Sequence, residues 1–478
     1  MNSELMGFFE NLKNIVGDRN VIFCDIDERY CEDWYGAYQF QPLAVVRPAD
    51  TSEVSKVVNA AYRYGIPIVP MSGNTGLAGG TSGQDSLILS LERMNKILSI
   101  NPISKLVKLE AGVVLSFLHE ELAKTGSIFP VTFGARGSAM IGGILSTNAG
   151  GSNVLRYGNT RTLCLGLEVV LPDGQILDLM SELYKDNSGF DIRQLIIGAE
   201  GTLGIITRAV LRTFPKPMSY STAVIAVPSI PVAIDILNRL QKATGNAVEA
   251  FEYMPASYMK EYFRIFPDVQ NPMQEIYEIN IFLELGWVED DSKKEFNAEN
   301  SFENNLENLL SYELDKGLII DATLAQNEMQ RRSLWDIREA AAEVTVCRKP
   351  VVNNDIAVPI NKVAEFLELV EKKLSSVETK APSTCVAHLG DGNLHYWIWP
   401  KNHDSNIAKF INTAVENVAV SLGGSFSAEH GIGVMKLDSM SRNKSPVAIE
   451  MMQKIKTIID PKNIMNPGKV IPEKVADD

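Results

Sequence analysis

The sequence predicts an α+β protein built from two main domains. Three observations carry that prediction. Short helical and strand patterns alternate from residue 42 to residue 212, two glycine-rich loops interrupt them, and Pro215 and Pro217 break the pattern before a second set of helices and strands begins. At 478 residues the chain is too long for one ordinary core, so two or three compact parts are expected.

In chain order, PLAVVRP enters a strand, residues 51–64 read as a helix, and the apolar run 66–69 reads as the next strand. The first glycine loop, PMSGNTGLAGGTSG at 70–83, follows directly. LILSL at 87–91 and KLVKLEAG at 105–112 add strands, and the second loop, GARGSAMIGGILSTNAGG, occupies 134–151. LGLEVVLPDGQILDL then reads as a hairpin turning at Pro172-Asp173-Gly174. Beyond FPKPM, residues 232–240 and 302–312 look helical and 221–227 and 278–285 look like strands, while the acid-rich stretch 288–307 reads as a solvated face. From Ile455 the chain ends in IKTIIDPKNIMNPGKVIP, a helix stopped by Pro461 and a tail expected to dock back onto the body.

The loops carry the first chemistry. Glycine lacks Cβ, so consecutive backbone N–H groups can turn toward an anion and approach it closely, and Ser72, Asn74, Thr75 and Ser82 offer further donors. Arg136 is the only charged side chain in either loop. Two such loops point to a cofactor with a long pyrophosphate-bridged body; the alternative is a pair of tight turns.

Composition narrows the classes. A hydrophobic fraction of 45% with 22% charged residues is that of a globular enzyme. The first twenty residues have neither a basic, apolar leader nor an arginine-rich transit pattern, and no run is apolar enough to span a bilayer, so a cytoplasmic location is expected. A net charge of −14 argues against nucleic acid as the main partner. The five cysteines are scattered, with no C-x-x-C pair, and read as buried thiols in a reducing compartment.

Three of the five histidines, His388, His395 and His430, fall in two short glycine-rich segments, HLGDGNLHYW and SAEHGIGVMK. The first reads as strand, Gly-Asp-Gly turn and strand, which returns His395 toward His388; the second sets Glu429 beside His430. Two imidazoles and a carboxylate are a ligand set for zinc or another divalent ion with an open position. The alternative is a pair of hydrogen-bonded core histidines. Asp391 reads as a turn former. His119, on an amphipathic helix, and His403, in a loop, stay outside the chemistry.

In this order, PMSGNTGLAGG, GSAMIGGILSTNAGG, GAEGTLGIIT, LWDIREA, HLGDGNLH, SAEHGIG and NPGK resemble the FAD-linked D-2-hydroxy acid dehydrogenases of the vanillyl-alcohol oxidase superfamily, over nearly the whole chain. The resemblance implies an FAD domain at 1–215, a substrate-binding cap with an antiparallel sheet at 216–453, and a C-terminal segment at 454–478 that packs on the FAD domain. Pro70, Ser72, Gly73, Asn74, Thr75 and Gly76 would hold the pyrophosphate, and Gly142, Gly143, Ser146, Asn148 and Gly150 would line the flavin. Glu200, Gly201, Gly204, Ile205 and Asn466 would complete the cleft. Met71, Ala139 and Met140 offer no nucleophile, so the FAD would be non-covalent.

The same resemblance implies a divalent metal, zinc or manganese, on His388, His395 and Glu429, with His430 as base and Arg338 binding the substrate carboxylate. Arg331 and Arg332 compete for that last role. The implied reaction turns a D-2-hydroxy acid into a 2-oxo acid and passes electrons to an acceptor such as electron-transfer flavoprotein or quinone; a homodimer is a compatible assembly. The family's usual lysine is replaced by Asn353, and its glutarate enzymes' asparagine by Trp397, which argues for a substrate without a second carboxylate bound in the usual way. No strand followed by GxGxxG occurs, which argues against a nicotinamide partner. Two competing functions are a metal-dependent hydrolase or lyase using the same histidines without a redox cofactor, and a flavin subunit of a larger dehydrogenase.

Overall fold

A computed structural model of the chain describes residues 3–34, 36–288, 302–375 and 381–473. Most of the acid-rich stretch 288–307 therefore lies outside the described residues. The chain divides into two compact units: Met1–Gly150, Gly158–Pro215 and Glu429–Asp478 form the first, Gly151–Tyr157 and Lys216–Ala428 the second.

This division differs from the boundaries drawn on sequence in two places. Residues 151–157 belong to the second unit because Arg156 Nη1 donates to Glu249 Oε1 (2.8 Å) and to the Gly286 carbonyl (2.6 Å), and Tyr157 donates to the same carboxylate oxygen at 2.6 Å. Residues 429–453 belong to the first unit, and a cut after 453 would fall inside the helix Pro446–Ile459.

The first unit holds two main sheets and a two-stranded one that pairs Ser127–Ile128 with Phe214–Pro215. In the four-stranded sheet, Ala44–Val46 and Ile68–Met71 flank Leu87–Ser90 in parallel, and Val21–Ile22 adds an antiparallel edge. The helix Thr51–Tyr64 connects the first two of these strands. Asp50 caps its N-terminus by accepting from the Glu53 amide, Gly65 ends it at φ 68°, and Val54, Val57, Val58 and Ala61 form its buried stripe. The second sheet is antiparallel, in the order Ile97–Asn101, Leu106–Glu110, Ile205–Arg212, Cys164–Val170, Ile176–Leu179. The tail docks on the first sheet: the Ile68 amide donates to the Ile464 carbonyl (2.7 Å) and the Asn466 amide to the Ile68 carbonyl (2.8 Å). Buried Asp460 holds the bend before it, accepting from the Ile464 and Met465 amides and from Lys456.

The second unit is one seven-stranded antiparallel sheet, ordered Asp321–Leu324, Ser219–Ala226, Ile279–Trp287, Val248–Pro255, Ser383–His388, Asn393–Ile398, Val352–Ala357. Alternate residues point to opposite faces. One face is apolar and packs on Leu237 of the helix Ile230–Thr244, Phe366 of Val363–Leu374 and Val415 of Ser405–Ser421. The other packs Phe282, Met254, Val386 and Trp397 on Tyr258 of Ala256–Ile265 and Ile337 of Glu328–Glu339. This second face also carries Glu252, Glu284, Asp355, His388 and His395, which share its parity along their strands.

The cysteines correct one expectation. Cys164 and Cys385 are buried, Cys24 is exposed, and Cys31 and Cys347 are half-buried; none forms a disulfide. Among the described residues no helix is long and apolar enough to cross a membrane.

Candidate active site

The two glycine loops, separated in sequence, meet in the first unit. A Cβ on Gly73 would lie 2.0 Å from the Ser138 carbonyl oxygen, and one on Gly142 would lie 3.3 Å from Ser72 Oγ. Only glycine permits that approach. Two asparagines hold the loops in shape: Asn74 (φ 50°) and Asn148 (φ 53°) adopt the left-handed conformation asparagine tolerates. Asn74 Nδ2 donates to the Glu32 carbonyl (2.8 Å) and its Oδ1 accepts from Thr81 (2.7 Å), while Asn148 Oδ1 accepts from the Arg161 amide at 2.9 Å. Ser146 Oγ donates to the Gly142 carbonyl (2.7 Å). These three side chains are spent on the protein, so at their positions it is backbone that the loops present. Among the described residues no acceptor serves the N–H groups of residues 72–76. A row of unserved amides with no acid in either loop fits a phosphate-bearing cofactor.

Behind the loops, Gly201 (φ 75°) abuts Pro70, where an added Cβ would lie 2.5 Å from the ring. Gly204 precedes the strand whose first residue, Ile205, is 1% exposed and belongs to the core, leaving its backbone as the part that can serve a ligand. Asn466 Nδ2 donates to the Gly80 (2.9 Å) and Glu200 (2.7 Å) carbonyls. Its buried Oδ1 has no partner.

Glu200 does something its motif does not announce. Its carboxylate accepts from the Ile432 (2.7 Å) and Gly433 (2.9 Å) amides, so it holds the turn immediately after His430. Burial pushes this carboxyl up, against the two amide donors and nearby Lys436.

Lys469, closing the NPGK motif, is 8% exposed and donates to the Pro467 carbonyl. Burial lowers its pKa to about 8. Since the unfolded value is about 10.4, the unfolded chain binds more protons between these limits, so stability should rise with pH through the window. Below about pH 8 the charged amine is a standing cost. Lys469→Met should therefore stabilise the apoprotein by about 1–3 kcal/mol at pH 7, and the advantage should shrink in urea melts taken toward pH 10.

In the second unit, the Asp391 turn joins the strands Ser383–His388 and Asn393–Ile398 and brings His388 and His395 together, ring centroids 5.5 Å apart. Asp391 is a turn former, its Oδ1 accepting from the Asn393 amide. Glu252, 1% exposed on the neighbouring strand, accepts from Arg338 Nε (2.8 Å) and pairs with His388 Nδ1 (2.9 Å). Burial alone would raise this carboxyl; electrostatic attraction to and hydrogen bonds from His388 and Arg338 hold it below the ordinary range. Asp355 Oδ1 lies 3.8 Å from His395 Nδ1 and accepts from Asn393 Nδ2 at 3.0 Å.

The three competing arginines separate clearly. Arg331 is spent as a fork on Glu284, at 2.7 Å through both Nε and Nη2, and Arg332 is 76% exposed at its side chain. Arg338 is 7% exposed, and its Nη2 has no partner although it is buried. Trp397 is 3% exposed and packs on Tyr258, so its indole is committed to the core; its cross-strand partner Asn353 is exposed. Glu429 and His430 open the segment in which the chain returns to the first unit. Sequence reasoning passed over Glu252 and Asp355. The available signal is an acid inside a strand, as in VEAFEYMP and VNNDIA.

The fold and the loops define a flavin-binding α+β protein, and comparison with known proteins agrees. Residues 42–180 match the model of the FAD binding domain, and 216–470 that of the C-terminal domain of FAD linked oxidases. The chain is 34% identical to a probable mitochondrial D-2-hydroxyglutarate dehydrogenase of Oryza sativa subsp. indica, over 99% of this chain and 83% of the relative. It is equally 34% identical to a D-2-hydroxyglutarate dehydrogenase of Xanthomonas citri pv. viticola, over 93% and 92%. The solved structure of p-cresol methylhydroxylase with substrate bound shares the fold, with a TM-score of 0.74 at 16% identity, over 99% of this chain and 98% of that one. The chain belongs to the FAD-linked D-2-hydroxy acid dehydrogenase family, and it is an FAD-dependent oxidoreductase.

Proposed function

We propose that this enzyme oxidises the C2 hydroxyl of a D-2-hydroxy acid to the 2-oxo acid. The observation that carries the reading is Arg338, a buried guanidinium with one nitrogen on Glu252 and another, Nη2, without a protein partner, as a site for the substrate carboxylate requires. Non-covalent FAD would be held by Pro70, Ser72, Gly73, Asn74, Thr75 and Gly76, by Gly142, Gly143, Ser146, Asn148 and Gly150, and by Glu200, Gly201, Gly204, Ile205 and Asn466, several of them through backbone alone. When bound, it supplies the acceptor for the C2 hydride. His388, His395 and Glu429 are the donor set for a divalent ion, zinc or manganese, which when bound polarises the C2 hydroxyl. The two imidazoles, adjacent and each beside a carboxylate, suit that task.

The chain's own residues divide the remaining work. Arg338 orients the carboxylate through its planar fork, and neutral His430 takes the hydroxyl proton as the hydride departs. The electrons then pass to a carrier such as electron-transfer flavoprotein or a quinone. Asn353 offers no charge for a distal carboxylate, which favours a D-2-hydroxy monocarboxylate over the D-2-hydroxyglutarate of the relatives' names; with Trp397 in the core, Asn353 alone supports that preference.

Arg338→Lys keeps the charge and loses the fork. It should lower kcat/KM about 10- to 100-fold for every D-2-hydroxy acid oxidised, in a dye-coupled assay, since a hydrogen bond to a charged group is worth about 1.5–3 kcal/mol. The flavin content should not change. Unaltered kcat/KM would remove Arg338 from substrate binding.

A further inference from the structure

Glu252 faces His388 directly across the pair of strands Val248–Pro255 and Ser383–His388, and Asp355 faces His395 in the same way across Val352–Ala357 and Asn393–Ile398. Directly opposed residues on one face of an antiparallel pair sit close enough for their side chains to meet. The pairing of acid and imidazole is thus set by strand register, and a slip of one residue would send the acid to the opposite face. Of the two acids, Glu252 makes the tighter contact and is shared, its carboxylate lying 2.8 Å from Arg338 Nε and 2.9 Å from His388 Nδ1. Asp355 Oδ1 stands farther off, 3.8 Å from His395 Nδ1.

We propose that Glu252 is a positioning residue which fixes His388 in the tautomer protonated on Nδ1, so that Nε2 carries the lone pair, and which aligns Arg338 from the same carboxylate. A carboxylate on one ring nitrogen of a ligating histidine sets the ring's orientation and raises the basicity of the other nitrogen. The second consequence concerns substrate. With Arg338 Nε tied to Glu252, rotation of the guanidinium is restricted, and its unpartnered Nη2 is held in one place. One buried acid thereby registers the carboxylate site against a ligand of the proposed metal. This rests on the reading of His388 and Arg338 given above.

The test separates the two. In chelator-treated, FAD-loaded protein with 15N-labelled histidine at pH 8, long-range 1H–15N spectra report the tautomer of each of the five histidines, and His388→Gln identifies the resonance in question. The expected result is His388 protonated on Nδ1 in the wild type. In Glu252→Ala neither donor keeps an acceptor, so that signature should be lost or mixed, and affinity for Zn2+ or Mn2+ in equilibrium dialysis should fall about 10- to 100-fold. Asp355→Asn should leave the His388 signature intact. A wild-type His388 protonated on Nε2 overturns the proposal even if Glu252→Ala fails to fold, and so does a Glu252→Ala protein that keeps both tautomer and metal affinity. A wild type with the expected tautomer that binds neither ion supports the role of Glu252, and it is the metal reading that falls.

Discussion

His430→Gln is expected to lower kcat by about two to four orders of magnitude, the usual contribution of a positioned general base, while the protein stays yellow with its FAD in place. The reason lies in how the residue is held. The turn that follows it is pinned by Glu200 through the Ile432 and Gly433 amides, Gly431 takes φ 76° where a Cβ would strike the Glu200 carboxylate at 2.6 Å, and the Val434 amide donates to the Ala78 carbonyl. None of these contacts uses the imidazole, so removing it leaves them standing, and the loss should appear in kcat. Stopped-flow reduction of the flavin would show it in the chemical step. A rate within a few-fold of wild type would assign the base to another group.

Glu200→Ala should be the most damaging single change outside the imidazoles. Two amides, the part-buried one of Ile432 and the buried one of Gly433, would lose their acceptor. At about 1–3 kcal/mol for a buried orphaned group and less for a part-buried one, the cost is roughly 1–4 kcal/mol. Part of the loss is offset, because a buried carboxylate whose pKa is pushed up carries a desolvation cost of its own. Glu200→Gln, with one oxygen for two donors, should fall between wild type and alanine. Urea denaturation ranks the three; if Glu200 served the flavin alone, apoprotein stability would not follow that order, and only FAD affinity would.

Local signals made much of this fold legible. The helix Thr51–Tyr64 is marked by Asp50 before it and Gly65 after it, and the return of His395 toward His388 is marked by its Gly-Asp-Gly turn; both depend on chemistry within a few residues. The glycine loops are legible as a pair, although only the structure shows that Gly73 and Ser138 meet in backbone contact. What could not be read depends on register between distant strands. Glu252 lies 136 positions before His388, and nothing near either residue announces their pairing. Trp397 shows the converse: its place two residues beyond His395 made it look like part of a pocket, whereas its partner Tyr258 sits on a helix more than a hundred residues upstream. The segments 151–157 and 429–453 changed units for the same reason, since the partners that fix them, Glu249 and Glu200, are remote in sequence.

The most direct test of the central claim is the visible spectrum of the purified protein during anaerobic addition of D- and L-2-hydroxy acids, with and without chelator. The expected result is a flavin band bleached by a D-acid, untouched by its L-enantiomer, and bleached only while the metal is present. A colourless protein that rejects added FAD, or a yellow one that no 2-hydroxy acid reduces, would contradict it.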